Sequence, residues 1–333
     1  MSQPAQTVLP RWRGFNLLEM FTTRSDGAFR EDDLRWMSDW GFDFVRLPMC
    51  YLLWVKDDDP YSIHEPMLHN VDRVIEWADT YGLHVSLNFH RAPGYSVNRE
   101  RQEPFNLWKD QEALDAFCFH WELFARRYKA IDSGRLSFDL VNEPCSPSEE
   151  FMTRADHERV VRAAVGAIHA VDAERLIIAD GLSWGNDPLP ELADLGIGQS
   201  CRAYVPAGIS HYKASWVDSK GWLVPGWPGQ VGHGEYWDRA RLGAHYEQWA
   251  DLARKGVGVH CGEGGAFNKT PHDIFLAWFR DVLQILTAHN IGYALWNFRG
   301  PFGILESERA DVDYEDWHGH PLDRELLDLL AEF

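Results

Sequence analysis

Eight apolar segments recur along the chain, each closed by a polar or glycine-rich turn, with helix-like patterns between most of them. They span 11–18, 43–49, 84–90, 135–144, 175–181, 208–212, 256–265 and 291–300. Before the third, Val71, Val74, Ile75 and Ala78 supply one apolar helical face and Gly82 the stop. The near-continuous apolar runs SFDLV and IIA suit strands covered on both faces. Parallel strands need crossover segments, and closing the sheet removes its unpaired edges. The pattern predicts an α/β fold, a (β/α)8 TIM barrel. An open doubly wound sheet is the structural alternative, but no early GxGxxG turn supports it.

At 333 residues the chain has the length of such a barrel. No linker divides it, so the reading is a single barrel domain over 1–333. Extended loops are expected around 98–108, 213–236 and 300–320, the second unusually rich in Trp, Gly and Pro.

Charge then narrows the partners. Lys plus Arg number 32 against 51 Asp plus Glu, a net charge of −19. That field repels phosphate backbones and anionic lipid, so neither nucleic acid nor a membrane is an expected partner. No stretch approaches the roughly 18 apolar residues of a membrane span. Five cysteines are scattered without a CxxC pair, and residues 1–14 lack the basic and apolar regions of a signal peptide. The expected location is cytoplasmic. Nothing fixes an oligomeric state. His64-Glu65 is followed by Pro66, which breaks the helix a zinc motif needs, and His318 and His320 bring no further ligands. No metal or cofactor is implied.

Two glutamates carry the chemistry. Glu143 follows Asn142 at the end of the fourth segment, and Glu263 sits in HCGEGG at the end of the seventh. Polar residues at C-terminal strand ends of a barrel are placed for catalysis, and closure can bring the two together. One carboxyl can protonate a leaving group while the other attacks, which is the division of labour in glycoside hydrolysis. A separation of about 5 to 5.5 Å gives retention and about 6.5 to 9.5 Å inversion, a choice local sequence leaves open.

The ordered series DFVRLPM, NFHRAPG, DLVNEP, SHY, CGEGG and ALWNF resembles the cellulase-like glycoside hydrolases of family 5, from about Arg11 to Phe298. The resemblance implies a retaining double displacement without an obligate metal, with Glu143 as acid/base and Glu263 as nucleophile. It also implies Arg46, His90, Asn142, His211, Tyr212 and Trp296 as substrate-binding residues around the reactive sugar. In that family the histidine and tyrosine often flank one intervening residue. Here they are adjacent, and Tyr204 is another aromatic candidate.

Trp216 and Trp222, with Trp227 and Trp237, offer apolar faces to line sugar subsites. Long loops after strands six and eight favour removal of terminal sugars from short β-linked oligosaccharides. The expected activity is a retaining exo-β-glycosidase, and the resemblance to bacterial family members acting on mannose-containing glycans makes β-mannosidase the expected specificity. The alternatives are a β-glucosidase, an endo-acting β-glucanase or β-mannanase, and a catalytically silent carbohydrate-binding protein.

Overall fold

The computed structural model describes residues 8–98 and 101–333. Its parallel strands are β1 (Arg13–Asn16), β2 (Phe44–Cys50), β3 (His84–Ala92), β4 (Leu136–Asp139), β5 (Leu176–Asp180), β6 (Gly198–Ala203), β7 (Val259–Gly264) and β8 (Gly292–Leu295). Each pairs with the next in chain order, and β8 returns to β1, which closes the barrel. Helices α1 (Glu31–Asp39), α2 (Glu65–Tyr81), α3 (Gln111–Tyr128), α4 (Arg154–Val171), α5 (Arg239–Arg254) and α6 (His272–Ala288) belong to the connections, and α7 (Arg324–Ala331) follows the last strand. Only short helical turns at 182–185 and 190–195 join β5 to β6.

Local chemistry explains several boundaries. The buried face of α2 is Leu68, Val71, Val74, Ile75 and Ala78, and the helix stops at Gly82. Thr153 and Asp156 close a reciprocal capping box at the start of α4. The sixth strand departs from expectation. Residues 207–210 form a helical turn, and the strand lies earlier, at GQSCRA. All six of its residues are buried, yet Gln199, Ser200 and Arg202 are polar, so no apolar run marks it. Gln199 satisfies both backbone groups of Leu189, at 2.8 and 2.7 Å, and Arg202 bonds Asp180 on the neighbouring β5.

The expected long loops carry structure of their own. Segment 213–236 includes a strand, Gly229–Val231, that pairs with Glu235–Trp237, and 300–320 leads into the hairpin Glu315–Trp317 with His320–Leu322. Of the loop 98–108, residues 99 and 100 lie outside the described residues. Its Glu103 accepts hydrogen bonds from Arg91 at 2.6 Å and Tyr51 at 2.9 Å.

Inside the barrel, the N-terminal strand ends are filled by Trp12, Phe44, His84, Ile178, His260 and Ala294, all buried. His84 stacks on Trp12 at 3.8 Å. The C-terminal ends carry Asn16, Arg46, Asp139, Asp180, Arg202 and Glu263, equally buried but polar.

Candidate active site

Glu263 reaches the interior through an irregularity. His260 packs against Trp12 and Phe44 inside the barrel, so strict alternation would turn residue 263 outward. Between Cys261 and Glu263 the register slips against β6, and it slips in the same place against β8, a bulge that re-aims the carboxylate inward. Gly262 makes this possible: a Cβ there would lie 2.6 Å from Ser200 Oγ and 3.0 Å from Arg202 Nη1. Glu263 Oε1 then accepts from Arg46 Nη1 at 2.7 Å and stands 3.3 Å from Arg202 Nη2. Its Oε2 accepts from the Tyr204 hydroxyl at 3.1 Å.

Glu143 lies just beyond β4 with φ at +48°, a left-handed conformation costly for a residue with a side chain. Two bonds hold it there. Its N–H donates to Asp180 Oδ2 at 2.9 Å, and its carbonyl accepts from the Tyr95 hydroxyl at 2.6 Å. The carboxylate oxygen Oε1 accepts from Arg202 Nε at 3.2 Å. Burial, then the charge of Glu263, pushes the Glu143 carboxyl up to about 8, with Asp180 adding to the rise and Arg202 and Arg46 opposing it. At neutral pH Glu143 therefore holds a proton.

Two guanidiniums organise the remaining carboxyls. Arg46 Nε donates to Asp139 Oδ2 at 2.7 Å and Nη1 to Asn16 Oδ1 at 3.1 Å. Arg202 donates to both oxygens of Asp180. Burial, then the charge of Asp180, raises Asp139 to about 7 against the pull of both arginines. Asn142 Oδ1 accepts from Arg46 at 2.8 Å and Arg202 at 3.0 Å, which leaves its buried Nδ2 without a partner and able to donate to a bound hydroxyl.

The walls are aromatic. His90 lies against Trp296, with centroids 5.6 Å apart and planes 23° from parallel, and Phe21 meets both rings edge-on. Burial and then the two nearby guanidiniums hold His90 well below its ordinary value, so the ring is neutral. The peptide between Trp296 and Asn297 is cis. Opposite, His211 stands 5.1 Å from Tyr204 and 5.9 Å from Phe302. Trp216, 60% exposed, packs edge-on against Phe267 at 5.0 Å.

Tyr212 is not where the adjacent His-Tyr pair leads one to expect it. Its ring is buried with Lys213 above it, and Tyr204 makes the bond to Glu263. Ser200, Arg202 and Tyr204 alternate along β6 and just past its end, so all three side chains face one way, whereas neighbours such as His211 and Tyr212 would not in a strand. The tryptophans also separate. Trp227 is buried and donates to Asp281 on α6 at 2.9 Å, while Trp237 donates to Glu235 and lies under Arg241. Trp222 is half-buried and has no ring contact to the site among the described residues. Sequence reasoning missed Asn16, Tyr95, Asp139, Asp180, Arg202 and Phe302. The one available signal was the repeated strand ending in SFD and IAD, which puts Asp139 and Asp180 at equivalent positions.

A sequence model of the family described as Cellulase (glycosyl hydrolase family 5) matches residues 3–300. Endoglucanase C of Acetivibrio thermocellus is 26% identical over 334 residues, 92% of each chain. Cellodextrinase A of Ruminococcus flavefaciens is 26% identical over 281 residues, covering 80% of this chain and 78% of its own. A crystal structure described as a glycoside hydrolase superposes with a TM-score of 0.91 at 42% identity, over 97% of this chain and 99% of the other.

Proposed function

The chain belongs to glycosyl hydrolase family 5 and is a retaining O-glycosyl hydrolase, and from that premise we propose that its single barrel domain removes sugars from the ends of short β-linked oligosaccharides. Glu263 attacks the anomeric carbon while Glu143 protonates the departing oxygen; Glu143 then takes a proton from water as that water displaces Glu263. The observation that carries this reading is a proton-holding Glu143 bridged through one guanidinium to Glu263. Arg46, Asn142, His90, His211 and Trp296 hold the reactive sugar, with Trp216 at the edge of the site.

For end-on action, support comes from Phe302, beyond β8, packing against His211 and Trp216 from the loop after β6 and against Phe267 after β7. These three loops make one wall beside Glu263. For the sugar, the names of endoglucanase C and cellodextrinase A favour the gluco series over the manno series suggested by the β-mannosidase likeness. Among the described residues no helix is long and apolar enough to cross a membrane. A cytoplasmic site of action would suit oligosaccharides small enough to be imported.

Time-resolved product analysis on matched β-linked gluco- and manno-oligosaccharides, with E263A as control, tests the proposal. Single β-anomeric glucose units released first from cello-oligosaccharides are expected. Mannose released faster from the manno series would reassign the sugar, and internal fragments appearing first would sink the end-on mode.

A further inference from the structure

Arg202 has no counterpart in the division of roles above, yet its guanidinium is the group that touches both glutamates. Nε lies 3.2 Å from Glu143 Oε1 and Nη2 lies 3.3 Å from Glu263 Oε1, while Nη1 and Nη2 also donate to Asp180. Nη1 further donates to Ser200 Oγ at 2.8 Å and Nη2 to Asn142 at 3.0 Å. Its position is built in. A Cβ on Gly185 would fall 2.4 Å from Arg202 Cγ, so the stem is clamped by the turn after β5 as closely as the head is clamped by Gly262. Arg46, by contrast, bonds Glu263 at 2.7 Å and has no bond to Glu143.

We propose that Arg202 is a positioning residue that keeps one guanidinium paired with whichever of the two glutamates is charged in each half of the reaction. The inference rests on Glu143 and Glu263 acting as acid/base and nucleophile. In the first half, the Glu263 carboxylate forms the ester bond to the anomeric carbon, the glycosidic C–O bond breaks, and the Glu143 proton goes to the leaving oxygen. One negative charge has left Glu263 and one has arrived at Glu143. In the second half, Glu143 takes a proton from water, the water oxygen bonds the anomeric carbon, and Glu263 leaves as carboxylate. Throughout, Arg202 faces one charged and one neutral glutamate without moving, the preorganisation that makes a fixed dipole or charge effective in a water-poor site.

Asp180 is the other half of the device. It anchors Arg202 and accepts the backbone N–H of Glu143, so the same carboxylate fixes both the guanidinium and the left-handed turn. The charged groups facing Glu143 are Glu263 from β7, Arg202 from β6, Asp180 from β5 and Arg46 from β2. The hydroxyls of Tyr204 and Tyr95 also face it, with Asp139 of β4 and the neutral His90 of β3 beside the guanidiniums. Because Arg202 opposes and Asp180 favours proton retention on Glu143, neutralising one should move the basic limb of the rate profile opposite to the other.

The test is the pH dependence of kcat/KM for R202Q, R202K and D180N in the full chain, on cellotriose or mannotriose, whichever the wild type hydrolyses. R202Q is expected to lose about 100-fold in kcat/KM, with its basic limb about one pH unit higher. D180N should move the limb downward. R202K keeps the charge but reaches a single carboxylate, so its limb should stay near wild type while kcat falls. An R202Q limb at the wild-type pH, or shifts of R202Q and D180N in the same direction, would overturn the proposal. If R202Q does not fold by circular dichroism, a wild-type kcat for R202K overturns it instead. E143A separates this from the underlying reading. Wild-type turnover of the trisaccharide by E143A would refute Glu143 as acid/base. Loss there, with turnover kept on a dinitrophenyl β-glycoside whose leaving group needs no proton, supports that role and leaves the Arg202 variants to decide.

Discussion

Trp12, Phe44, His84 and His260 fill the barrel at the N-terminal strand ends, while Asn16, Arg46, Asp139, Asp180, Arg202 and Glu263 fill it at the C-terminal ends. Both layers are buried, and they rest on different physics. Each ring of the lower layer is neutral and packs by area and shape, and the polar edge of His84 is met by the Gly134 carbonyl at 2.9 Å and Ser137 Oγ at 2.8 Å. No charge of the upper layer could be buried alone. Arg46 takes acceptors from β1, β4 and β7, and Arg202 bonds Asp180 from β5 and lies within ion-pair distance of Glu263 from β7. The lower layer is a support whose members are separable, and the upper one is a network whose members are not.

The sharpest way to break this comparison is to cut one residue from each layer. Arg46→Met strands Asp139 and Glu263, and a cost of about 3–5 kcal/mol in urea unfolding is expected, with kcat down at least about 100-fold. Trp12→Ala leaves a cavity of similar stability cost, about 3–5 kcal/mol, while the folded fraction keeps its kcat. If Trp12→Ala lowered kcat as far as Arg46→Met, the layers would not be functionally distinct.

A smaller effect concerns proton uptake in the lower layer. Burial depresses His84 from 6.5 to about 4, against the hydrogen bond to the Gly134 carbonyl that works the other way. The unfolded chain therefore takes up this proton first as pH falls. The stability held in the neutral ring is complete above pH 6.5 and is lost as pH drops from there to about 4. His84→Phe should flatten the stability curve in that window by on the order of 2 kcal/mol. Urea midpoints at stepped pH would show it, and an unchanged slope would mean the ring does not carry this acid sensitivity.

The smallest expected effect sharpens the upper layer. Tyr204→Phe removes the hydroxyl that donates to Glu263 and should lower kcat/KM about tenfold, roughly 1.4 kcal/mol. Tyr212→Phe should leave it unchanged. Equal losses in steady-state assays would return Tyr212 to the site.

What could be read beforehand follows the same division. Seven of the eight strands stood out because their residues pack against surrounding helices, and an apolar run is a local record of that. The sixth did not, since Gln199, Ser200 and Arg202 are polar, and their pairings, Gln199 with Leu189, Ser200 with Arg202 and Arg202 with Asp180, exist only once the fold is formed. Glu143 and Glu263 were legible as carboxylates at strand ends, and Asn142, His90, Arg46 and Trp296 through the motifs that hold them. Arg202 was not, because an arginine in a polar stretch looks like any solvated one until its partners are known.

By itself the sequence determined the barrel, through the alternation of buried strands and amphipathic helices, and it named the two glutamates. Tertiary structure alone decided that Tyr204 rather than Tyr212 bonds Glu263, that a bulge at Gly262 turns that carboxylate inward, and that Arg202 spans both glutamates. The reason is range. Hydrophobic periodicity is a property of neighbours in the chain, whereas compensation of a buried charge is a property of neighbours in space, gathered here from six strands and the turn after β4 into one unit.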